Sequence, residues 1–539
     1  MGGLMSWMGV RVDRRRLKES KDGLRVVTWN IAAINNNPFE YYTTVEQDLG
    51  YQQLMMAVQE FIDSPGIRDV PVSQVFTASM FGRLKGAMGA LGWQGLEQVE
   101  EIWLRDFSRR PIVSGFLKDA EIGSKRLASM PDRLTNTINV ADGTIICRPS
   151  VINNYRHEMR DLESWFQQWF HFMFRQSVSI KHKRGEVDSK KVCAMLQTIK
   201  RSKYPAVTEQ EEAISIPLQT LTLAIFDATL VHIMNTCAGS TLNWHAIKMR
   251  LCDELVVNKQ ANVIRLLTAQ PRYAQADVIF LQEVAGSFVE AFRADKQLSS
   301  RFKLLAPAAV DHVRDQNSFI LVAKPRMSQV TGGVQELDLT DAILQHVPIA
   351  DGDLCAFVVP LLFDDDSEKN VILASFHGDT AGLASTPTVN AVRSAAREIG
   401  LPVVLGIDAN THRVWDSKSK HVDEFLRDIQ DGTEPLCHCW EGNNADKWLT
   451  TFNARTYLQP QLNKAVRFEE RATSRLTDAN PKDFILFSGW FFEIQSHAVR
   501  DNTGDCRYNE NLVYPSLTFP SDHAIVSARL VLRRALFIT

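Results

Sequence analysis

The sequence predicts an α/β fold interrupted by a large all-helical segment, and three observations carry that expectation. After Asn258, short apolar runs recur, each bounded by turn formers and separated by helix-patterned stretches, which is how strands alternating with helices read. A similar run, Leu24-Arg25-Val26-Val27-Thr28-Trp29-Asn30, stands alone near the start and is broken by Asn35-Asn36-Asn37-Pro38. Between the two, from about Phe39 to Leu255, helical patterns and aromatic residues replace strand signals.

Bulk properties bound the answer. A chain of 539 residues can bury a large core and has room for two or more domains. Apolar content of 45% and charged content of 23% are ordinary for globular proteins. A net charge of −3 exerts no global pull on nucleic acid, so any such contact must be local. Eight cysteines at irregular spacings, with no secretory apolar segment before them, predict free thiols in an intracellular, cytoplasmic protein. Cys437-His438-Cys439 is too compressed for structural zinc without a second pair nearby. Met1-Gly2-Gly3-Leu4-Met5-Ser6 fits the myristoylation pattern, with Gly2 as the lipidation candidate. Arg11, Arg14, Arg15, Arg16, Lys18 and Lys21 follow, and an acyl chain joined to a basic patch is the usual pairing for peripheral membrane contact. An unmodified terminus is the alternative.

Within the helical segment, residues 158–175 hold Trp165, Phe166, Trp169, Phe170, Phe172 and Phe174, enough apolar surface for enclosure on several sides. Thr208-Glu209-Gln210-Glu211 resembles a capping box opening a helix through residues 214–234. That stretch is nearly all apolar but contains Pro217, Gln219, Asp227 and His232, so it reads as a buried central helix, not a bilayer span. His232 is expected to be a core histidine. A basic stretch (Arg175, Lys181, Lys183, Arg184, Lys190, Lys191, Lys200, Arg201, Lys203) is expected as a solvated helix face and loop, with phosphate contact as the sharper alternative.

Strands are then expected at residues 277–281, 318–323, 371–376, 403–405, 483–487 and 524–532, with a helix at 261–267. A second helix is bounded by Thr386 as N-cap, Pro387 at its first position and Gly400 just past its end. In Leu401-Pro402-Val403-Val404-Leu405-Gly406-Ile407-Asp408-Ala409-Asn410-Thr411, a doubly buried strand ends in a carboxylate and a carboxamide two residues apart. On an extended backbone both would point to one side. Such a pair suits water activation and oxyanion stabilisation, and equally suits an Asx-rich turn.

Strand ends deliver polar groups repeatedly: Asn30, Glu283, His377, Asp408, Asn410, Asp483, Asp522 and His523. Oxygen-rich donors of this mix suit a hard divalent cation. At these positions the chain resembles the endonuclease/exonuclease/phosphatase (DNase I-like) family. The matches fall in the family's order: Thr28-Trp29-Asn30, Leu281-Gln282-Glu283, Ser375-Phe376-His377, Gly406 with Asp408-Ala409-Asn410, Asp483-Phe484-Ile485-Leu486 and Ser521-Asp522-His523.

The resemblance implies a four-layer α/β sandwich of two packed mixed sheets flanked by helices, formed by residues 22–38 and 258–539. A basic tail (1–21) precedes it, and a helical insertion (39–257) has no counterpart in the family. It implies that Glu283 holds Mg²⁺ (Mn²⁺ may substitute), assisted by Asn30 and Asp522. Asp408 would orient or deprotonate the attacking water, and Asn410 would stabilise the transition state. His523, paired with Asp483, would bind the scissile phosphate, and His377 would contact a phosphate oxygen or assist the leaving group. Phosphoryl transfer is mostly positioning and charge neutralisation, which makes these roles physically coherent.

There are departures. Ile407 is inserted in the usual Gly-Asp-x-Asn, glycine follows His377, and the inositol-polyphosphate phosphatase signatures are not reproduced. Asp379 is a further carboxylate at this end, with a turn role as its alternative. Because the insertion departs just after Asn30, it must emerge at the rim of the site, where it is expected to form a lid or wall, or else a packing domain on a permissive loop. The expected activity is Mg²⁺-dependent phosphodiester hydrolysis, with nucleic acid as the leading substrate class. Phospholipid or phosphoinositide hydrolysis is the enzymatic alternative, and a catalytically silent scaffold is the non-enzymatic one.

Overall fold

The computed structural model describes residues 23–45, 48–181, 186–312, 314–328, 333–363, 367–432, 434–442 and 444–533. Gly2, the basic residues of the tail, Lys183 and Arg184 lie outside the described residues. Twelve strands build the scaffold: β1 (Gly23–Asn30), β2 (Val278–Val284), β3 (Phe302–Leu305), β4 (Asn317–Ala323), β5 (Gln335–Glu336), β6 (Leu354–Leu362), β7 (Glu368–His377), β8 (Val403–Asp408), β9 (Leu436–His438), β10 (Asp483–Ser488), β11 (Phe492–Asp501) and β12 (Ile525–Leu532). They form two six-stranded sheets, ordered β11-β12-β1-β2-β4-β3 and β9-β10-β8-β7-β6-β5. Both sheets are mixed, since β1 runs parallel to β2 and β7 parallel to β8 among antiparallel neighbours.

Period-2 patterning decides which side chains meet between the sheets. Leu24, Val26, Val278, Phe280, Ile320 and Val322 of the first sheet share a core with Leu373, Val404 and Ile485 of the second. The alternate residues Val27, Trp29, Ile279, Leu281, Phe319 and Leu321 face the other way into a separate core. Helix α1 (Lys259–Ala269) covers that outer face through Val263, Ile264, Leu266 and Leu267. On the second sheet α2 (Ser385–Ile399) and α3 (Val422–Gln430) bury Val389, Val392, Phe425 and Ile429. The result is the four-layer α/β sandwich expected. Gly406 is required by this stacking: a Cβ there would lie 2.4 Å from Phe280 Cβ, so the sheets close only over a missing side chain.

The insertion is organised around the helix Ser215–Ala238, the one described helix long and apolar enough to cross a membrane. Of its apolar window, 89% is buried inside the protein, under the helices Leu49–Asp63, Ala78–Ala90, Leu96–Arg105 and Leu162–Phe174. Asp227 in this helix accepts hydrogen bonds from Arg148 Nε (2.7 Å), Trp169 Nε1 (2.9 Å) and Ser150 Oγ (2.7 Å), while Arg148 Nη2 reaches Asp132 (2.6 Å). This network explains how a carboxylate sits at 0% exposure in an apolar helix. His232 is half-buried, edge-on to Phe61 at 6.1 Å between ring centroids.

Local expectations needed five corrections. The Thr208–Glu211 capping box exists but opens only the short helix Glu209–Ala213, and the central helix starts anew at Ser215. The aromatic helix spans Leu162–Phe174, starting later than residue 158 because Asp161 caps it. Strands Ser177–Lys181 and Val187–Lys191 form a hairpin within the basic stretch, which is therefore not a helix face. A second hairpin pairs Thr137–Asn139 with Ile145–Cys147. Finally, α2 starts at Ser385; Thr386 is no N-cap, its hydroxyl donating instead to Asp428 (2.8 Å). Gly400 does end that helix, at φ 67°.

Candidate active site

The two sheets end together, and their register collects the polar residues. His377 of β7 pairs with Asp408 of β8, which pairs with Asp483 of β10, so three adjacent strands present three titratable residues at one level. In the facing sheet Asn30 of β1 pairs with Gln282 of β2. A register shift in β2 between Leu281 and Val284 then re-aims Glu283, which adopts φ 52°. Asn410 is likewise left-handed at φ 47°. The extended geometry expected beyond Asp408 therefore stops at that residue. Asp408 Oδ1 accepts the Asn410 N–H at 2.9 Å in an Asx turn, so the turn and the site occupy the same residues.

The contacts across the site are direct. Asn30 Nδ2 donates to Glu283 Oε1 (3.0 Å) and to Asp408 Oδ2 (2.8 Å), joining the two sheets. His377 Nε2 lies 3.3 Å from Glu283 and 3.8 Å from Asp408, and His523 Nε2 lies 3.7 Å from Asp408. His523 Nδ1 meets Asp483 Oδ2 at 2.9 Å. The β10 end is braced by Thr450, whose hydroxyl accepts the N–H groups of Lys482 and Asp483, both at 3.0 Å. Ser521 donates to the Asn30 carbonyl (2.7 Å) and accepts the His523 N–H (3.0 Å), which fixes the last motif against the first strand. Asp379 lies outside this cluster. It accepts the N–H groups of Ala381, Leu383 and Ala384, the turn role.

Charge is distributed unevenly. Burial alone would push the Glu283 carboxyl up, but the facing His377, the Ala33 N–H and the Asn30 amide hold it down at about 2. Burial opposes charge on His523 too, yet Asp483 and Asp408 raise it to about 10, which makes it an imidazolium at neutral pH. Asp522 is raised by burial. It shares with Glu283 a cleft of about 300 Å³ whose walls include Ala33, Tyr41, Leu255 and Lys259. Tyr41 and Leu255 belong to the two ends of the insertion, so its roots form part of the cleft wall.

Donor chemistry fits a divalent cation. Glu283, His377 and Asp408 each offer a ligand atom within 4.8 Å of the others, as do Asp408, Asp483 and His523. Two buried polar atoms, Asn410 Nδ2 and Asp483 Oδ1, have no hydrogen-bond partner and are available to water or ligand. Asn30 differs from expectation: its Oδ1 accepts the Ala32 N–H (2.8 Å) and its nitrogen faces both carboxylates, so it bridges them as a donor. Glu283 and Asp522 are the two acidic residues among those lining the cleft.

One residue had no sequence signal. Lys259, the first residue of α1, is 4% exposed and donates to the Ala33 carbonyl at 3.1 Å. Burial lowers it to about 8 against the pull of Asp522 and Glu283. An isolated lysine after a helical stretch belongs to no motif, and only the fold places it in the cleft.

The family described as Domain of unknown function (DUF8234) matches residues 69–249, inside the helical insertion. No curated protein matches the chain. Among solved structures, truncated Caenorhabditis elegans TDP2 is similar at 14% identity and TM-score 0.32, over 50% of this chain and 90% of that one. An endonuclease/exonuclease/phosphatase family protein from Bacteroides thetaiotaomicron is similar at 17% identity and TM-score 0.31, over 51% and 90%. The human Nocturnin catalytic domain is similar at 12% identity and TM-score 0.30, over 51% and 86%.

Proposed function

We propose that this chain is a divalent-metal-dependent phosphoric ester hydrolase that cleaves phosphodiesters, with Mg²⁺ as the ion and nucleic acid as the substrate class. The observation that carries the reading is the register of His377, Asp408 and Asp483 on three adjacent strands, closed from the facing sheet by Asn30, Glu283 and His523. These distant polar side chains are buried together with Asn410 Nδ2 and Asp483 Oδ1 left without partners, a cost that a ligand would offset.

Glu283 and Asp522 would hold the ion, and Asn30 would keep Glu283 and Asp408 at fixed separation. When bound, the ion supplies neutralisation of charge on the phosphoryl oxygens. Asp408 is the group that orients water for in-line attack and accepts its proton; with the Asn410 N–H and the Asn30 amide on its two oxygens, it is held in one orientation. Asn410 Nδ2 is free to donate to a phosphoryl oxygen as negative charge develops there. His523, charged by Asp483, donates to the scissile phosphate, and Asp483 keeps its ring oriented. His377 contacts another phosphate oxygen or the leaving group. The two insertion roots at Tyr41 and Leu255 act as a wall that selects what approaches.

The test is hydrolysis of a panel of phosphodiesters by the full chain: single-stranded DNA, RNA and phospholipid, each with Mg²⁺ and with EDTA. Cleavage of a nucleic acid with Mg²⁺ alone is expected. Metal-independent turnover, or turnover of phospholipid only, would overturn the assignment.

A further inference from the structure

A large cavity built by the insertion opens beside the candidate active site. It measures about 930 Å³, and its lining comes from the hairpin strand Ile145–Cys147, residues 154–157, the aromatic helix Leu162–Phe174 and residues 256–260. Three short segments form the partition between cavity and cleft. Ile34 lines both; Leu255 faces the cleft while Val256 faces the cavity; Lys259 faces the cleft while Gln260 faces the cavity. A ligand whose phosphate is engaged beside the ion site of Glu283 and Asp522 would find this cavity adjoining it.

The lining identifies that remainder. Tyr155, His157, His171 and Phe172 offer aromatic faces, and Ile145 and Val257 stand 56% and 57% exposed in the lining. Six carboxamides accompany them: Asn36, Asn154, Gln167, Gln168, Gln176 and Gln260. The side chains of Asn36 and Gln176 have no hydrogen-bond partner among the described residues. Among the described residues no carboxylate lines the cavity. Asn154, Gln167, Gln168 and Gln260 already bond within the protein, so an acyl chain displacing water would leave Asn36 and Gln176 unpaired. A nucleobase suits both parts of the lining, since its face stacks on aromatic side chains and its edge pairs with Asn and Gln amides. The cavity exceeds what one base needs, which leaves room for its sugar.

We infer that this cavity binds an unpaired nucleobase of the substrate, adjoining the ion site of Glu283 and Asp522, and so makes the insertion the specificity element. The inference rests on the hydrolase reading above for the position of the phosphate. Base entry requires an unstacked nucleotide, so single-stranded or terminal nucleotides are the substrates.

The experiment compares the full wild-type chain with Ile145→Trp, which narrows the cavity from an exposed position, and Gln176→Ala, which removes an amide. Fluorescence anisotropy in EDTA measures binding of a short single-stranded oligonucleotide and of the same strand made abasic. In parallel, Mg²⁺-dependent hydrolysis of bis(p-nitrophenyl) phosphate reports the phosphate site alone. Wild type is expected to bind the base-bearing strand roughly tenfold tighter than the abasic one, the size of one stacked base. Both variants should lose that preference while keeping hydrolysis of the small diester within about twofold of wild type. Equal binding of the two strands by wild type, an unchanged preference in both variants, or phosphatidylserine vesicles displacing the oligonucleotide would overturn the inference. A base preference lost in the variants, with no hydrolysis by any of the proteins, would keep the cavity and refute the hydrolase reading.

Discussion

Replacing Asp408 by Asn separates chemistry from folding. Asp408 is 1% exposed, and its two oxygens accept different donors, Asn410 N–H at 2.9 Å and Asn30 Nδ2 at 2.8 Å. An asparagine there keeps one oxygen, so one of the two donors loses its acceptor. An unpaired buried donor costs about 1–3 kcal/mol, which a domain stable by about 5–15 kcal/mol survives. Activity should fall much further. Losing the group that accepts the proton of water removes roughly 10²–10⁴ in rate, or about 3–5 kcal/mol of transition-state stabilisation. The assay pairs thermal melting with kcat/KM on a labelled single-stranded oligonucleotide in saturating Mg²⁺. The expected result is a cooperative melt shifted by a few degrees together with a rate at least 10²-fold lower. A variant retaining more than about a tenth of wild-type activity would show that Asp408 does not handle the water's proton.

The remaining predictions draw on other parts of the structure. Asp483→Asn removes the larger of the charges that raise His523 to about 10; since a raised histidine works while protonated and is lost as pH climbs, the alkaline limb of kcat/KM should move to lower pH, and an unmoved limb would contradict the pairing. Gly406→Val places atoms where Phe280 already sits, its Cβ 2.4 Å from that of Phe280, so melting should show a loss of about 1–3 kcal/mol or more; a stable variant would mean that the sheets do not close over this residue. Asp227→Ala removes one of the two carboxylates paired with the fully buried Arg148, leaving Asp132, and should destabilise the chain by about 3 kcal/mol in urea unfolding, against no loss if the network is ornamental.

The site was legible because strand ends are punctuated by motifs. Asn30, Glu283, His377 and Asp408 close apolar runs of ordinary strand length while Asp483 and His523 precede them, and strand direction is enough to put such residues on one rim. Two features of its geometry were not readable. The bulge that turns Glu283 and the left-handed Asn410 are set by tertiary pairing, and neither residue type announces a positive φ in the way glycine does. The inserted Ile407 reads as a departure in sequence. In space it is a buried strand residue that keeps Gly406 and Asp408 on one face.

Strands were missed where local chemistry spoke against them. β6 carries Pro360, which propensity assigns to an edge or a break, although β6 pairs along its length with β7. β11 is largely solvent-facing, with two register shifts, so its apolar alternation is erased; β3, β5 and β9 are too short to leave a pattern. In the basic stretch, hairpin residues such as Lys190 and Lys191 lack any β signal, and pairing between the two arms decided the outcome.

The most direct test of the central claim is cleavage of a short single-stranded oligonucleotide by the full chain, followed through metal removal and return. Products should appear with Mg²⁺, vanish with EDTA, return when Mg²⁺ is restored, and stay absent throughout for Asp408→Asn. Cleavage that ignores EDTA, or a substitution at Asp408 that leaves the product yield unchanged, would contradict the assignment of this strand-end cluster as the reaction centre.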